Sequence, residues 1–297
     1  MKTTMALIKR NIKLFFKDKG MFFTSLITPA ILLVLYSTFL GNVYRDSFTS
    51  GLPEFIQLPE KLINGLVGGQ LISSLLAVSC VTVAFCSNFL MVQDKANDTI
   101  KDLRISPVKS STLSLSYYAA TLISTLLICL LSTGVGLAYL ASIGWYLSVA
   151  DVFLLILDVF LLVMFGTALS SIINYFLSSQ GQISAVGTII SAGYGFICGA
   201  YMPISSFGDG LQKVLSFLPG TYGTALVRKH AMQGALKEMS EFGISVEMIT
   251  YLEDALDCNL YFFSEQVTPP VMYLILGCSI TILLAVYISL NMIKKKS

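Results

Sequence analysis

The sequence predicts an all-α polytopic membrane protein. Six transmembrane helices are expected, with an N-terminal amphipathic interfacial helix before them, a cytoplasmic helix between spans two and three, and an outer re-entrant hairpin before the last span. Three observations predict this. Of 297 residues, 55% are hydrophobic and 12% charged, where a soluble domain carries about 25% charged residues, and the mean hydropathy is +0.77. Six stretches reach the roughly 20 apolar residues needed to cross a hydrocarbon core, and none contains a lysine or arginine. The basic residues are instead segregated between the stretches, thirteen on one side against six on the other.

Taken in order, residues 1–19 place Met5, Ile8, Ile12, Phe15 and Phe16 at helical spacing, while Lys9, Arg10, Lys13 and Lys17 fill the remaining surface. That pattern predicts a helix in the inner interface, apolar side in the acyl boundary and basic side against anionic headgroups. The run 21–40 follows a basic region as a signal peptide would, but it is too long, and Leu40-Gly41-Asn42 is no A-x-A cleavage site; it reads as an uncleaved first span. Residues 42–65, with Pro53, Glu54, Pro59 and Glu60, read as an outer loop. Spans are then expected over 66–92, 113–143, 152–173, 183–202 and 271–293, with a cytoplasmic loop over 93–112 and an uncharged turn over 174–182.

The positive-inside rule sets the orientation. Lysines and arginines gather at the N-terminus, in the 93–112 loop and at Lys294, Lys295 and Lys296, so both termini are expected in the cytoplasm of a cell-membrane protein. Trp145 and Tyr146, between spans three and four, suit the outer aromatic belt.

The outer segment 203–270 is the informative one. Leu211, Val214, Leu215 and Leu218 form a short apolar face ending at Pro219-Gly220, and a second short apolar stretch, Thr221 to Val227, precedes Arg228. Two half-length helices around a proline cannot each cross a bilayer. They predict a hairpin dipping in from the outer face, with a surface-lying pair as the alternative. Residues 231–268 turn acidic and predict a small helical cap, with Ser245 as N-cap ahead of Val246, Ile249, Leu252 and Leu256.

Several chemistries are excluded. A net charge of +2 gives no basic face for nucleic acid. One histidine and six scattered cysteines offer no metal-ligand spacing and predict no disulfide framework. Phosphate-cradling G-x-x-x-x-G-K-[ST], G-x-S-x-G and H-E-x-x-H are all absent, so no catalytic, cofactor-binding or metal residues are expected in this chain. The one strongly intramembrane charge is Asp158, with Asp151 on the same helical face near the outer boundary. Such a group is either part of a proton or cation relay or a neutral carboxyl bonded to Ser, Thr or Asn on a neighbouring span. The second is favoured because no Lys, Arg or His falls at matching depth in the predicted topology, His230 lying in the outer segment. Gly68-Gly69, Gly134-x-Gly136 and Gly193-x-Gly195 predict close helix packing.

The loop between spans two and three runs from Asp94 through Thr99, Ile100, Leu103 and Ser106 to Pro107. It resembles the acidic-x-x-x-Gly-Thr-aliphatic-Glu-x-Leu-x-x-Ser/Thr-Pro segment of ABC-2 type permeases, the membrane subunits of ATP-driven exporters. Asp98 stands where that pattern has glycine, and Lys101 where it has an acid. A second resemblance lies in Gly199-x-x-x-Pro203, Leu211, Leu215, Leu218-Pro219-x-Thr-Tyr222 and Arg228, which look like the family's re-entrant hairpin. The resemblance implies that Asp98, Thr99, Ile100, Leu103, Arg104 and Pro107 couple to an ATPase subunit. It implies that Pro203, Phe207, Leu215, Leu218, Pro219 and Tyr222 close the outer gate. ATP and Mg would sit on that partner ATPase, and a second permease, the same or similar, would complete the path through the lipid bilayer. The implied function is the permease subunit of an exporter for an amphipathic substrate, whether drug, peptide or lipid. The alternatives are a proton- or cation-coupled secondary transporter using Asp158, and a sequestering binder using the acidic cap.

Overall fold

A chain in hydrocarbon must satisfy its backbone polar groups within itself, and long helices do that here. The computed structural model describes residues 2–50, 58–105, 108–263 and 265–293. α1 (Lys2–Lys17) is separated from α2 (Lys19–Leu35) by Asp18, whose carboxylate accepts the Met21 amide at 3.0 Å and caps α2. One π-helical turn, Tyr36–Leu40, carries α2 directly into α3 (Gly41–Ser50). There follow α4 (Glu60–Ala96), α5 (Thr99–Ile105), α6 (Ser110–Ile143), α7 (Val149–Phe176) and α8 (Gln180–Ile197). After a 3-10 turn at Ile204–Ser206 come α9 (Asp209–Leu215), α10 (Pro219–Glu241) and α11 (Val246–Ala255). A hairpin of β1 (Leu260–Phe262) and β2 (Glu265–Val267), antiparallel with Tyr261 opposite Gln266, leads into α12 (Pro269–Ile293). The end carrying α1 and α5 is called inner and the end carrying α11 outer, after the predicted orientation.

Among the described residues, five helices are long and apolar enough to cross a membrane: Lys19–Asp46, Glu60–Ala96, Ser110–Ile143, Val149–Phe176 and Pro269–Met292. The sixth expected span, 183–202, is α8, 18 residues long, with Gln180 and Gln182 in its first turn. The chain leaves that helix at Cys198 rather than at 202, because Gly199 adopts φ +73°.

The outer loop expected over 42–65 is corrected at both of its ends. Residues 41–50 are helical, and α4 begins at Glu60. Tyr36 and Tyr44 stack with ring centroids 5.6 Å apart, and with Phe48 they pack on Leu62 and Leu66 of α4. Pro53 and Glu54 lie outside the described residues.

α4 is the hub. It packs against α2, α6, α7, α8 and α10, and 28 of its 37 residues are buried, polar ones such as Gln70 and Asn88 among them. Glycine permits the closest approaches. A Cβ on Gly166 of α7 would come within 2.7 Å of the Cys80 carbonyl, and one on Gly69 within 2.8 Å of the Ala231 carbonyl of α10.

α10 departs most from expectation. The apolar stretch was expected to end before Arg228, yet the helix runs unbroken for 23 residues, with Ala231, Met232, Ala235, Leu236 and Met239 buried beyond that arginine. It lies antiparallel to α7, Gly220 beside Phe165, Gly223 beside Leu162 and Gly234 beside Tyr146. Its start therefore reaches past the midpoint of α7, between α4, α7 and α12. The cap helix forms as expected, with Ser245 Oγ accepting the Met248 amide at 3.3 Å. Its β-hairpin was not anticipated.

The interfacial helix is also revised. α1 packs on α6, burying Leu7, Asn11 and Phe15, while Met5 and Phe16 stay exposed. One face expected to meet acyl chains thus meets protein.

Candidate functional site at the two ends of the bundle

At the inner end, α5 forms where the coupling segment was expected, from Thr99 through Ile100, Leu103 and Arg104 to Ile105. Asp98, just ahead of it, has φ +59°. That left-handed conformation favours glycine and is tolerated by Asp better than by most residues, which accounts for the glycine in the pattern and for the acceptability of its replacement. The second departure answers the first, since Lys101 Nζ lies 2.9 Å from Asp98 Oδ1 in an exposed ion pair. Ile100 and Leu103 turn inward onto the main core, and the face left outward carries Lys101, Asp102 and Ile105, the last 85% exposed. Ser106 and Pro107 lie outside the described residues.

Two residues just before α5 tie it to the rest of the chain. Asp94 Oδ2 accepts from Arg10 Nη1 at 2.7 Å and from the Tyr117 hydroxyl at 2.5 Å, and Oδ1 accepts from Arg10 Nη2 at 3.2 Å. One buried carboxylate thereby joins α1, α4 and α6. Lys95 Nζ donates to the carbonyls of Asn174, Tyr175 and Leu177 at 2.9, 2.7 and 3.0 Å. It closes the C-terminus of α7, where orphan carbonyls and the helix dipole favour a cation. The resemblance quoted Asp94; the role of Lys95 had no local signal, because its partners lie 79 to 82 residues away.

On the outer side, the expected gate residues form one corner, which reaches into the bundle at the start of α10. Pro203 leads the 3-10 turn and Phe207 ends it, half-buried. Pro219 opens α10 at its first turn, where a missing N–H costs nothing. The Thr221 hydroxyl donates to the Leu215 carbonyl at 3.1 Å and the Tyr222 hydroxyl to the Ser216 carbonyl at 2.5 Å, fastening α9 to α10. Leu215 and Tyr222 are buried in a small core with Ile204, Leu226 and Met272, whereas Leu218, with Leu211, Val214 and Phe217, is exposed.

A dry ion pair holds this corner to the cap. Arg228 Nη1 donates to the Leu256 carbonyl at 2.7 Å and meets Asp257 Oδ2 at 3.3 Å, while Nη2 donates to the Gly199 carbonyl at 2.6 Å. Asp257 also accepts the amides of Ile204 and Ser205, at 2.6 and 3.3 Å. Burial lifts the Asp257 carboxyl above its ordinary range, against the pull of Arg228 and of both amides. The neighbouring Cys258 thiol is pushed up to about 12 by burial.

Asp158 is neither alone nor paired with Ser, Thr or Asn. Its Oδ2 lies 2.5 Å from His230 Nδ1 and its Oδ1 accepts the Tyr273 hydroxyl at 2.5 Å. The expectation that no histidine reaches its depth is therefore overturned, because α10 starts past the midpoint of α7 and is still alongside that helix at His230. Asp151 is spent elsewhere, accepting the amide and hydroxyl of Ser148 in a capping box at the start of α7.

Along one flank an open groove of about 1120 Å³ runs between α2 and α8. Thr24, Thr28, Ser184, Thr188 and Ser191 form a polar stripe among Ile27, Ile31, Phe89 and Phe196. A smaller cavity of about 290 Å³ lies between α9 and the cap. No group of three His, Cys, Asp or Glu that could hold a metal occurs among the described residues.

Residues 2–231 match the family model described as ABC-2 type transporter, a stretch running from α1 into α10 as far as the residue after His230. No curated protein matches the chain closely enough to add to that.

Proposed function

The chain belongs to the ABC-2 type transporter family and is a multi-pass membrane permease of an ABC transport system; from that premise we propose that it is an exporter subunit driven by a separate ATPase. The observation that carries this reading is the mounting of α5. Asp94 and Lys95 fasten the base of that helix to α1, α6 and α7 at once, and Lys101, Asp102 and Ile105 face outward from it. A partner pressing on α5 moves three helices together. The nucleotide and its Mg belong to that partner, and the chain contributes the path.

A second permease, identical or similar, completes the path. The α2 and α8 groove supports this, because its mixed polar and aliphatic walls suit an amphipathic drug, peptide or lipid-like molecule between two copies. On this reading the corner of α9 and α10 closes the exit, with Leu218 and Phe217 at its surface. A cell-membrane location is part of this reading, and the distribution of Lys and Arg supports placing both termini in the cytoplasm.

The test is co-expression with candidate ATPases, scored by co-purification and by vanadate-sensitive ATP hydrolysis. Ile105→Asp combined with Asp102→Lys alters only exposed positions, so it is expected to leave the fold intact and abolish both association and stimulated hydrolysis. An ATPase that binds the double variant as well as wild type would overturn the assignment of α5.

A further inference from the structure

Three side chains from three elements meet at a buried point that neither α5 nor the outer corner uses. Asp158 comes from α7, His230 from the arm α10 and Tyr273 from the first turns of α12. The Asp158 side chain is fully buried and that of His230 is 7% exposed. The imidazole and phenol rings lie nearly parallel, 20° apart with centroids at 6.5 Å. We propose that these residues form a proton-binding latch that fastens α10 to α7 and α12, closed when the Asp158–His230 contact holds one proton and released when it takes a second.

The geometry dictates the sense of the switch. A separation of 2.5 Å between Nδ1 and Oδ2 accommodates one hydrogen. With that hydrogen in place and Nε2 also protonated, as carboxylate and imidazolium or as acid and imidazole, the pair is neutral and the bond is charge-assisted or short. A second proton from the outer solution puts a hydrogen on each atom, so the two groups present donors to one another and the site becomes cationic in a low-dielectric surrounding. Turning the acid hydrogen onto Oδ1 spares the His230 contact only if the Tyr273 hydroxyl, which now donates there, gives up that bond and accepts instead. The second proton therefore loosens α10 from both spans.

Other titratable groups on the packed elements are occupied or distant. On α10, Arg228 is held by Asp257, Leu256 and Gly199, and Lys229 Nζ donates to Asn259 at 3.1 Å. On α7, Asp151 is bound to Ser148. α4 carries its charges at its two ends, Glu60 and Lys61 above, Asp94 and Lys95 below, with the Cys80 and Cys86 thiols in its inner half. On α12, the Tyr287 hydroxyl donates to the Ser114 carbonyl at 3.2 Å, and Cys278 is exposed. On α11, Asp254 accepts from Asn259 and Tyr261. Asp158 and Tyr273 are thus the ionisable side chains bonded to, or stacked on, the imidazole. The latch is a property of the chain alone, so it stands or falls separately from the ATPase assignment.

His230 is the only histidine in the chain, so protein labelled on histidine and held in lipid nanodiscs gives one imidazole signal. Its magnetic resonance shift and the hydrogen exchange of residues 219–241, corrected for intrinsic rate, are followed together between about pH 8 and pH 5. The expected result is a common midpoint, with protection of α10 falling about tenfold through it, the scale of one lost charge-assisted hydrogen bond. His230→Gln is expected to keep α10 folded and to remove the pH dependence. Any result in which imidazole and α10 do not change together overturns the latch, as does a pH dependence that survives in His230→Gln. Should that variant fail to fold, the comparison within wild type still decides.

Discussion

Two arginine–aspartate pairs sit at opposite ends of the molecule and are built differently. The inner one, Arg10 with Asp94, is partly wet, the arginine side chain being 29% exposed; the outer one, Arg228 with Asp257, is dry, at 0% and 5%. A wet pair can exchange partners with water, and a dry pair cannot be broken without leaving a charge unsolvated. On the proposed reading of α5, the inner end can therefore shift when that helix is pushed. The outer end rivets the close of α8, the turn after it, α10 and the cap into one unit.

That contrast can be broken by mutation, most severely outside. Arg228→Ala strands Asp257 without its counter-ion and is expected to cost about 3–5 kcal/mol, read as a collapse of the melting temperature and proteolysis within 203–268. Arg228→Met with Asp257→Leu removes both charges, and recovery of part of that loss would show that the stranded charge, not the lost pair, caused it. Inside, Asp94→Ala is expected to cost less, roughly 1.5–3 kcal/mol, because Arg10 can rehydrate; limited proteolysis should show α1 released from α6. A cost equal to that of Arg228→Ala would erase the distinction. The smallest effects belong to Asp98. Asp98→Gly relieves the left-handed backbone and loses an exposed ion pair, so stability, read from thermal melting, should change by less than about 0.5 kcal/mol. Asp98→Val is expected to cost about 1–2 kcal/mol at the start of α5, seen as faster amide exchange over 99–105.

Local periodicity made much of the fold legible. The third span was expected over 113–143 and forms over 110–143, and the last was expected over 271–293 and forms over 269–293. Ser245 was readable as a cap because capping is decided within four residues. What was missed depends on distant partners. Arg228 ends an apolar run when read along the chain, but its charge is cancelled by Asp257, 29 residues on. With α10 cut short, His230 was left outside, and its bond to Asp158 across 72 residues had no local trace. The β-hairpin strands are three residues each, too short for alternation to register. Asp98 stands in the motif's glycine position, and only its φ of +59° shows why glycine is the common choice there.

The central position of α4 bears on how the chain is made. α4 carries Gln70, Ser73, Ser74, Ser79, Thr82, Ser87 and Asn88, all buried, and its shell is supplied partly by α2 before it and partly by α6, α7, α8 and α10 after it. During synthesis those polar groups leave the insertion machinery long before α10 exists to cover the outer half. Until residues 219–241 are in place, the hub of the finished protein is an incompletely shielded helix exposed to lipid and to quality-control proteases. Completion of α10 is then also the step at which the nascent permease becomes durable, and defects in that helix should show first as low abundance.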